Sequence, residues 1–274
     1  MSAPAPMQII PTGFPHARLT LGHLIRSEWI KLRTLSSPWI SALIVIVLSL
    51  GISMIAAFSV STIGYGYVDR IPADMIASIV GQPAVFTMLL AMILGAILIT
   101  GEYSTGMIRT TITAAPDRLS SLVAKAVVVF LFSAVLGLAT TVVSGLGVLL
   151  VLLMRGISAD FSVGFAAFAP YVFVPLLMGA VALLGLGIGY LLRSGAGAIA
   201  IVVGVTFVLP IVLTSVGIIP GMDWMYELSY YVPLHAATDL IGAGEDALRG
   251  GITLTVWALA AMFFGGLALK TRDV

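Results

Sequence analysis

Six long stretches without a charged residue divide this chain of 274 residues. They lie between Arg33 and Asp69, Asp74 and Glu102, Lys125 and Arg155, Asp160 and Arg193, Arg193 and Asp223, and Arg249 and Lys270. A helix needs about 20 apolar residues to cross a bilayer, and a charge at its centre costs about 2.5–3.5 kcal/mol. We therefore predict an all-α membrane protein with six spans, whose cores cover about 39–60, 80–100, 121–153, 166–192, 196–219 and 251–269.

The composition agrees with an integral membrane protein. Charged residues make up 9% of the chain, against about 25% in typical soluble domains, and the mean hydropathy is +1.15. Cysteine is absent, which excludes disulfides, thiolate metal sites and cysteine nucleophiles. The Pro-rich start lacks the apolar core of a cleaved signal peptide. We expect a disordered tail over 1–17 and a single transmembrane domain over 18–274.

The distribution of basic residues predicts the orientation. With the N terminus in the cytoplasm, the loops and ends on that side contain ten of the thirteen Lys and Arg residues, and only Arg70, Arg155 and Arg249 lie outside. Basic residues favour the cytoplasmic side. Both termini are therefore predicted to be cytoplasmic, in a multi-pass protein of the plasma membrane. The spans themselves contain almost no charge, so no proton or sodium site is evident in mid-membrane.

A basic amphipathic helix is predicted over 18–35, just before the first span. Its apolar stripe contains Leu21, Leu24, Trp29 and Leu32, which suits the membrane surface. Glu28 falls on this stripe and therefore needs a partner, either Lys31 on the same helix or a cation from another segment.

A second polar segment, GEYSTGMIRTTITAAPDRLSSLVAKAV over 101–127, lies between spans two and three. We predict a short helix that Pro116 ends, followed by a new helix that opens at Asp117 and Ser120. A solvated loop with cytoplasmic charges would explain the basic residues equally well. A simple connection would need only about five residues, however, so the length favours a docking surface.

These two segments resemble those of the type-2 ATP-binding-cassette (ABC) exporter permeases, particularly the actinobacterial ones. The resemblance extends over the chain from about residue 18, and its clearest matches are 27–32 and Glu102-Tyr103 with Gly106, Arg109, Pro116, Arg118 and Lys125. It implies a connecting helix with Glu28, Trp29 and Lys31. It also implies a coupling helix that docks on an ATPase subunit, with coupling residues Glu102, Tyr103, Gly106, Arg109 and Arg118.

The resemblance also implies the partners. No G-x-x-x-x-G-K-[ST] motif is present, because none of the three lysines follows a glycine. The chain itself is then not an enzyme and binds no cofactor, and a separate nucleotide-binding subunit holds ATP and magnesium. The expected assembly is a homodimer or heterodimer of permeases among membrane lipids, without nucleic acid.

The predicted outer segment between spans five and six is acidic and rich in aromatic residues, which suit the membrane interface. The resemblance implies short helices in this segment. His235 and Asp239 have no third ligand in helical register, so a metal site is disfavoured.

Pro210 should kink span five. The apolar substrate path is predicted at Phe86, Met88, Met92, Thr206, Phe207 and Pro210.

The apolar path favours a drug, lipid or lipopeptide as the exported cargo. A membrane sensor or scaffold subunit, as in signalling or antibiotic-peptide immunity, would have equally apolar spans. An intramembrane enzyme would require a polar constellation that the sequence lacks.

Overall fold

A computed structural model describes residues 20–61, 70–114, 117–160 and 167–272. The predicted disordered tail and Pro116 lie outside these ranges. The helices are α1 (Leu21–Thr34), α2 (Ser36–Ser59), α3 (Ala73–Gly81), α4 (Ala84–Ser104), α5 (Met107–Ala114), α6 (Arg118–Arg155), α7 (Ala169–Leu192), α8 (Gly195–Val203), α9 (Leu209–Gly217), α10 (Asp223–Ser229), α11 (Pro233–Gly242) and α12 (Ala247–Thr271).

Among the described residues, six helical segments are long and apolar enough to cross a membrane, which confirms the predicted all-α polytopic fold. They are α2, α3 with α4, α6, α7, α8 with α9, and α12. The second span begins at Ala73, earlier than its predicted core, and changes from α3 to α4 at Gln82 and Pro83. The sixth, α12, ends at Thr271.

The fifth span is irregular where the sequence predicts a kink. A π-helical turn over Gly204–Val208 joins α8 to α9, and Pro210 follows in the first turn of α9. Proline has no backbone N–H, so Pro210 cannot donate the usual helical hydrogen bond to the Thr206 carbonyl oxygen. The irregular hydrogen bonding therefore coincides with the proline.

The two ends of the bundle differ in structure. The base contains α1, α5, the link between α7 and α8, and the C-terminal end of α12. The top contains α10, α11 and a short parallel strand pair, in which β1 (Arg70–Pro72) lies beside β2 (Ser158–Asp160).

The fourth span, α7, forms the centre of the bundle and packs against α4, α6 and α12. Glycines let α7 and α4 approach closely: a Cβ on Gly185 would lie 1.9 Å from the Met92 carbonyl oxygen, and one on Gly95 would lie 2.1 Å from that of Ala182. Small residues permit such backbone contact between membrane helices. This crossing fixes the second span, whose lower end leads to the polar base.

Candidate functional site

The amphipathic helix α1 packs against α6 at the base, and Leu35 alone separates it from α2. Leu32 is buried, and so is Glu28, as its place on the apolar stripe predicts. Trp29 is 43% exposed, although the sequence places it on the same stripe. The buried face of α1 is thus narrower than predicted and contains a carboxylate.

Four charged side chains meet beneath this face and form what we call the ion cluster: Glu28, Lys31, Glu102 and Lys125. Lys125 Nζ donates hydrogen bonds to Glu28 Oε2 and, at 2.8 Å, to Glu102 Oε1. Lys31 Nζ donates to Glu28 Oε1 at 2.7 Å and to Glu102 Oε1 at 3.2 Å. Glu28 therefore has both of the partners that the sequence left open.

The ion cluster also contacts the short helix α5. Lys31 Nζ donates a third hydrogen bond, of 3.1 Å, to Thr111 Oγ1. The cluster thus joins α1, the end of α4, the start of α6 and α5. Since Glu28, Glu102 and Lys125 are at most 7% exposed, moving α1, α4 or α6 alone would separate buried opposite charges, whereas α5 is held by the Thr111 hydrogen bond.

The pKa values of Glu28 and Lys31 are both shifted by their partners in the ion cluster. Burial alone would raise the pKa of Glu28, but the ammonium groups of Lys125 and Lys31 outweigh burial and hold this pKa below its ordinary value. Burial would lower the pKa of Lys31, whereas Glu28 and Glu102 raise it above its ordinary value. Both groups are consequently charged near neutral pH.

A glycine turn sets the direction of α5. Gly106 has φ +72°, a left-handed conformation that glycine adopts without strain, and it lies between α4 and α5. On α5, Ile108 is buried, whereas Met107, Arg109 and Thr110 are exposed. The helix therefore has an inner face on the bundle and an outer face available to another molecule.

Two arginines connect the same region to the end of the last span. Arg118 Nη1 donates to the Leu269 carbonyl oxygen at 2.9 Å, and Arg193 Nη2 donates to that of Ala268 at 3.3 Å. The Arg193 guanidinium also lies 5.1 Å from the ring centre of Tyr103. Cations at a helix C terminus satisfy its last carbonyls and complement its dipole. Tyr103 and Arg118, on either side of α5, thus contact the ends of spans four and six.

The sequence that forms this region matches a known family. The family model for ABC-2 family transporter proteins matches residues 24–221, from within α1 to just past the fifth span. The chain belongs to the ABC-2 transporter family. A search of the curated proteins found no match.

As an ABC-2 permease, the chain is a multi-pass membrane component of an ABC transporter and associates with an ABC ATPase subunit. Members of this family are generally not catalytic. The matched region includes the whole ion cluster and α5. The resemblance read from the sequence is thereby confirmed at the level of the family.

The predicted coupling residues fall into two groups. Gly106 and Arg109 are exposed at α5, where another subunit could reach them. Glu102 is buried in the ion cluster, Tyr103 lies against Arg193, and Arg118 bonds to the end of α12. The second group holds helices together inside the chain, so any part it plays in coupling must be indirect.

The predicted substrate-path residues are only partly brought together. Thr206 Oγ1 donates to Met92 Sδ at 3.2 Å, which joins spans five and two. Met88, Met92 and Thr206 are fully buried in this structure, and Pro210 is also buried. Phe207 is half-buried and Phe86 is 56% exposed. The six residues thus range from fully buried to more than half exposed, and the path remains a prediction.

His235 and Asp239, which are four residues apart on α11, each contact a neighbouring helix. His235 Nδ1 lies 2.6 Å from the Ser229 carbonyl oxygen, and Asp239 accepts a 2.8 Å bond from Arg249. Within the described ranges no group of three His, Asp or Glu side chains could hold a metal ion. These contacts join α10, α11 and α12 at the top.

Sequence reasoning missed three residues of the base: Lys125, Thr111 and Arg193 were not predicted as site residues. A signal existed for Lys125, because it is the one charged residue within the predicted core of span three, 121–153. The hydroxyl of Thr111 and the guanidinium of Arg193 gave no such signal, since their partners are set by helix packing.

Proposed function

We propose that this chain is the permease subunit of an ABC exporter that moves a hydrophobic or amphipathic cargo, such as a drug, lipid or lipopeptide, out of the cell. ATP and magnesium bind in the partner ATPase, and the base of the bundle faces the cytoplasm. The ion cluster carries the proposal, because its buried charges join α1 to spans two and three and its Lys31 also bonds to Thr111 on α5.

The proposed coupling follows from this connection. The ATPase docks on the outer face of α5, with Arg109 as an exposed contact. Movement of α5 acts on Lys31 through Thr111 and on Glu102 through the short turn to α4. It is passed on to α1 and span three, because separating Lys31 and Lys125 from the two buried glutamates is costly. Two states of the permease then differ in their affinity for the closed ATPase, which is the condition for coupling.

Pairing with a second permease, identical or paralogous, is part of the proposal. It is supported by the uneven burial of the spans within one chain. In the most apolar stretch of the first and fifth spans, 28% of the residues are buried, against 67% for the fourth. The apolar side chains that remain exposed on α2 and α9 include Leu43, Val47, Ile211 and Val212.

The test is purification of the tagged chain from its own membranes, followed by an ATPase assay of the copurifying proteins. We expect a stoichiometric nucleotide-binding subunit whose ATP hydrolysis is inhibited by vanadate. Arg109→Ala should weaken copurification about tenfold, the loss of one good interface contact. Arg26→Ala, which changes an exposed arginine on α1, is the matched control.

Two results would contradict the proposal. Recovery of the chain without an ATPase, for example with a kinase, would favour a sensor or scaffold subunit. Recovery of an ATPase that the permease and candidate cargo never stimulate would contradict transport while leaving family membership intact.

A further inference from the structure

A second site lies at the opposite end of the bundle, between α3, α6 and α7. It is a cavity of about 250 Å³ whose walls include Ile76, Val80, Gly145, Leu149, Phe168 and Tyr171. An apolar cavity of about 150 Å³ already admits benzene. The space is thus sufficient for part of a hydrocarbon chain.

The cavity depends on a glycine. A Cβ on Gly145 would lie 2.3 Å from the Tyr171 hydroxyl oxygen, so any larger residue would have to displace the tyrosine. Leu149 is half-buried and Phe168 is 61% exposed, so the cavity reaches the outer surface of the bundle. In a membrane span, that surface faces lipid.

The cavity contains one polar side-chain group. Among its lining residues, only Tyr171 carries one, and its hydroxyl makes no hydrogen bond within the described part of the chain. This hydroxyl is not among the fully enclosed polar atoms without a partner, so an acceptor that enters the cavity can reach it. One such hydrogen bond would contribute about 0.5–1.5 kcal/mol to binding.

The depth of Tyr171 indicates which acceptor is available. Tyr171 is the third residue of α7, close to the end of the fourth span, and tyrosines at this level lie where headgroups meet hydrocarbon. The ester carbonyls of phospholipids lie at the same depth. We propose that this cavity binds an ester-linked acyl chain of a membrane phospholipid, with Tyr171 donating a hydrogen bond to its ester carbonyl. This inference does not depend on the proposed export function.

Native mass spectrometry of the delipidated full chain tests the proposal. Phosphatidylglycerol with ester-linked chains and its ether-linked analogue, which lacks the carbonyl, are titrated separately. Wild type should retain the ester lipid about two- to tenfold more tightly, the effect of one hydrogen bond. Tyr171→Phe should abolish that preference while still binding both lipids.

Filling the cavity gives an independent measurement. Gly145→Leu should lose one tightly bound lipid, and Ala77→Leu, which fills the same space from α3, should do so if the first variant misfolds. Gly51→Leu is the control, because a Cβ there would have no atom within 4 Å. Equal lipid retention by wild type and a folded filled variant, or no ester preference in wild type, would overturn the proposal.

Discussion

At the scale of single residues, Lys125 is the centre of the base, because it lies between the two buried glutamates of the ion cluster. Its ammonium group is removed from water and depends on Glu28 and Glu102 for compensation. A buried ion pair adds little net stability, but removal of one partner leaves an uncompensated charge. The cluster therefore specifies how the helices pack more than it stabilises the fold.

Lys125→Met should lower the free energy of unfolding by about 3–5 kcal/mol, because it leaves two buried carboxylates with Lys31 alone. Thermal unfolding of the detergent-solubilised chain measures the effect. Lys270→Met, which changes an exposed lysine at the end of α12, should cause less than about 0.5 kcal/mol of change. Equal stability of the two variants would contradict the buried cluster.

The pKa shifts predict how stability depends on pH. The pKa of Glu28 is lower in the folded chain, so its contribution is complete above its unfolded value of about 4.3 and is lost as pH falls further. The pKa of Lys31 is higher in the folded chain, so its contribution is lost only above about pH 10.4.

Between about pH 5 and 10, ionisation of Glu28 and Lys31 should therefore change the unfolding temperature of the wild type very little. Below about pH 4.3 it should fall, and its advantage over Glu28→Gln should narrow. An advantage that stays constant down to pH 3 would show that the charge of Glu28 is not stabilised by its partners.

At the scale of elements, the crossing of α4 and α7 is set by glycines. Gly185→Ala should lower the free energy of unfolding by about 1–3 kcal/mol, since its Cβ would meet the backbone of Met92. Gly101→Ala, on α4 where a Cβ has open space, should be neutral or stabilising because alanine favours the helix. Comparison of the unfolding midpoints of the two variants separates the effect of close packing from the low helix propensity of glycine.

The end of α12 depends on side chains from two other spans. Arg118→Ala removes the bond to the Leu269 carbonyl oxygen, and we expect the last turn of α12 to open more often. Hydrogen exchange of the amides over 267–272 should accelerate about two- to tenfold, which corresponds to one hydrogen bond. Arg109→Ala should leave this exchange unchanged, because that side chain is exposed on α5.

The sequence was sufficient to predict the elements but not their contacts. Long uncharged stretches predict the spans because charge in hydrocarbon is costly, and the apolar stripe of α1 showed that Glu28 needs a partner. Which cation it meets depends on how α1 crosses α6. Arg193 bonds to backbone carbonyls, which every residue has, so no pattern of side chains could identify its partners.

At the scale of the whole molecule, sidedness can be measured directly because the chain has no cysteine. We expect a membrane-impermeant maleimide to label Glu245→Cys at the top in intact cells, and Thr110→Cys on α5 only after the membrane is opened. Both positions are exposed in the structure. Labelling of Thr110→Cys in intact cells would reverse the proposed orientation.

The third span connects the two ends of the molecule. Helix α6 runs for 38 residues without a proline, which makes it about 57 Å long, against about 30 Å of hydrocarbon. Lys125 of the ion cluster and Gly145 of the upper cavity lie on this one rod, about 30 Å apart at 1.5 Å per residue. If the lower end of this helix were tilted, the space around Tyr171 at its upper end would change. By thermodynamic reciprocity, a lipid that prefers one tilt would in turn bias the lower end, so the composition of the bilayer would set part of the work that ATP must do.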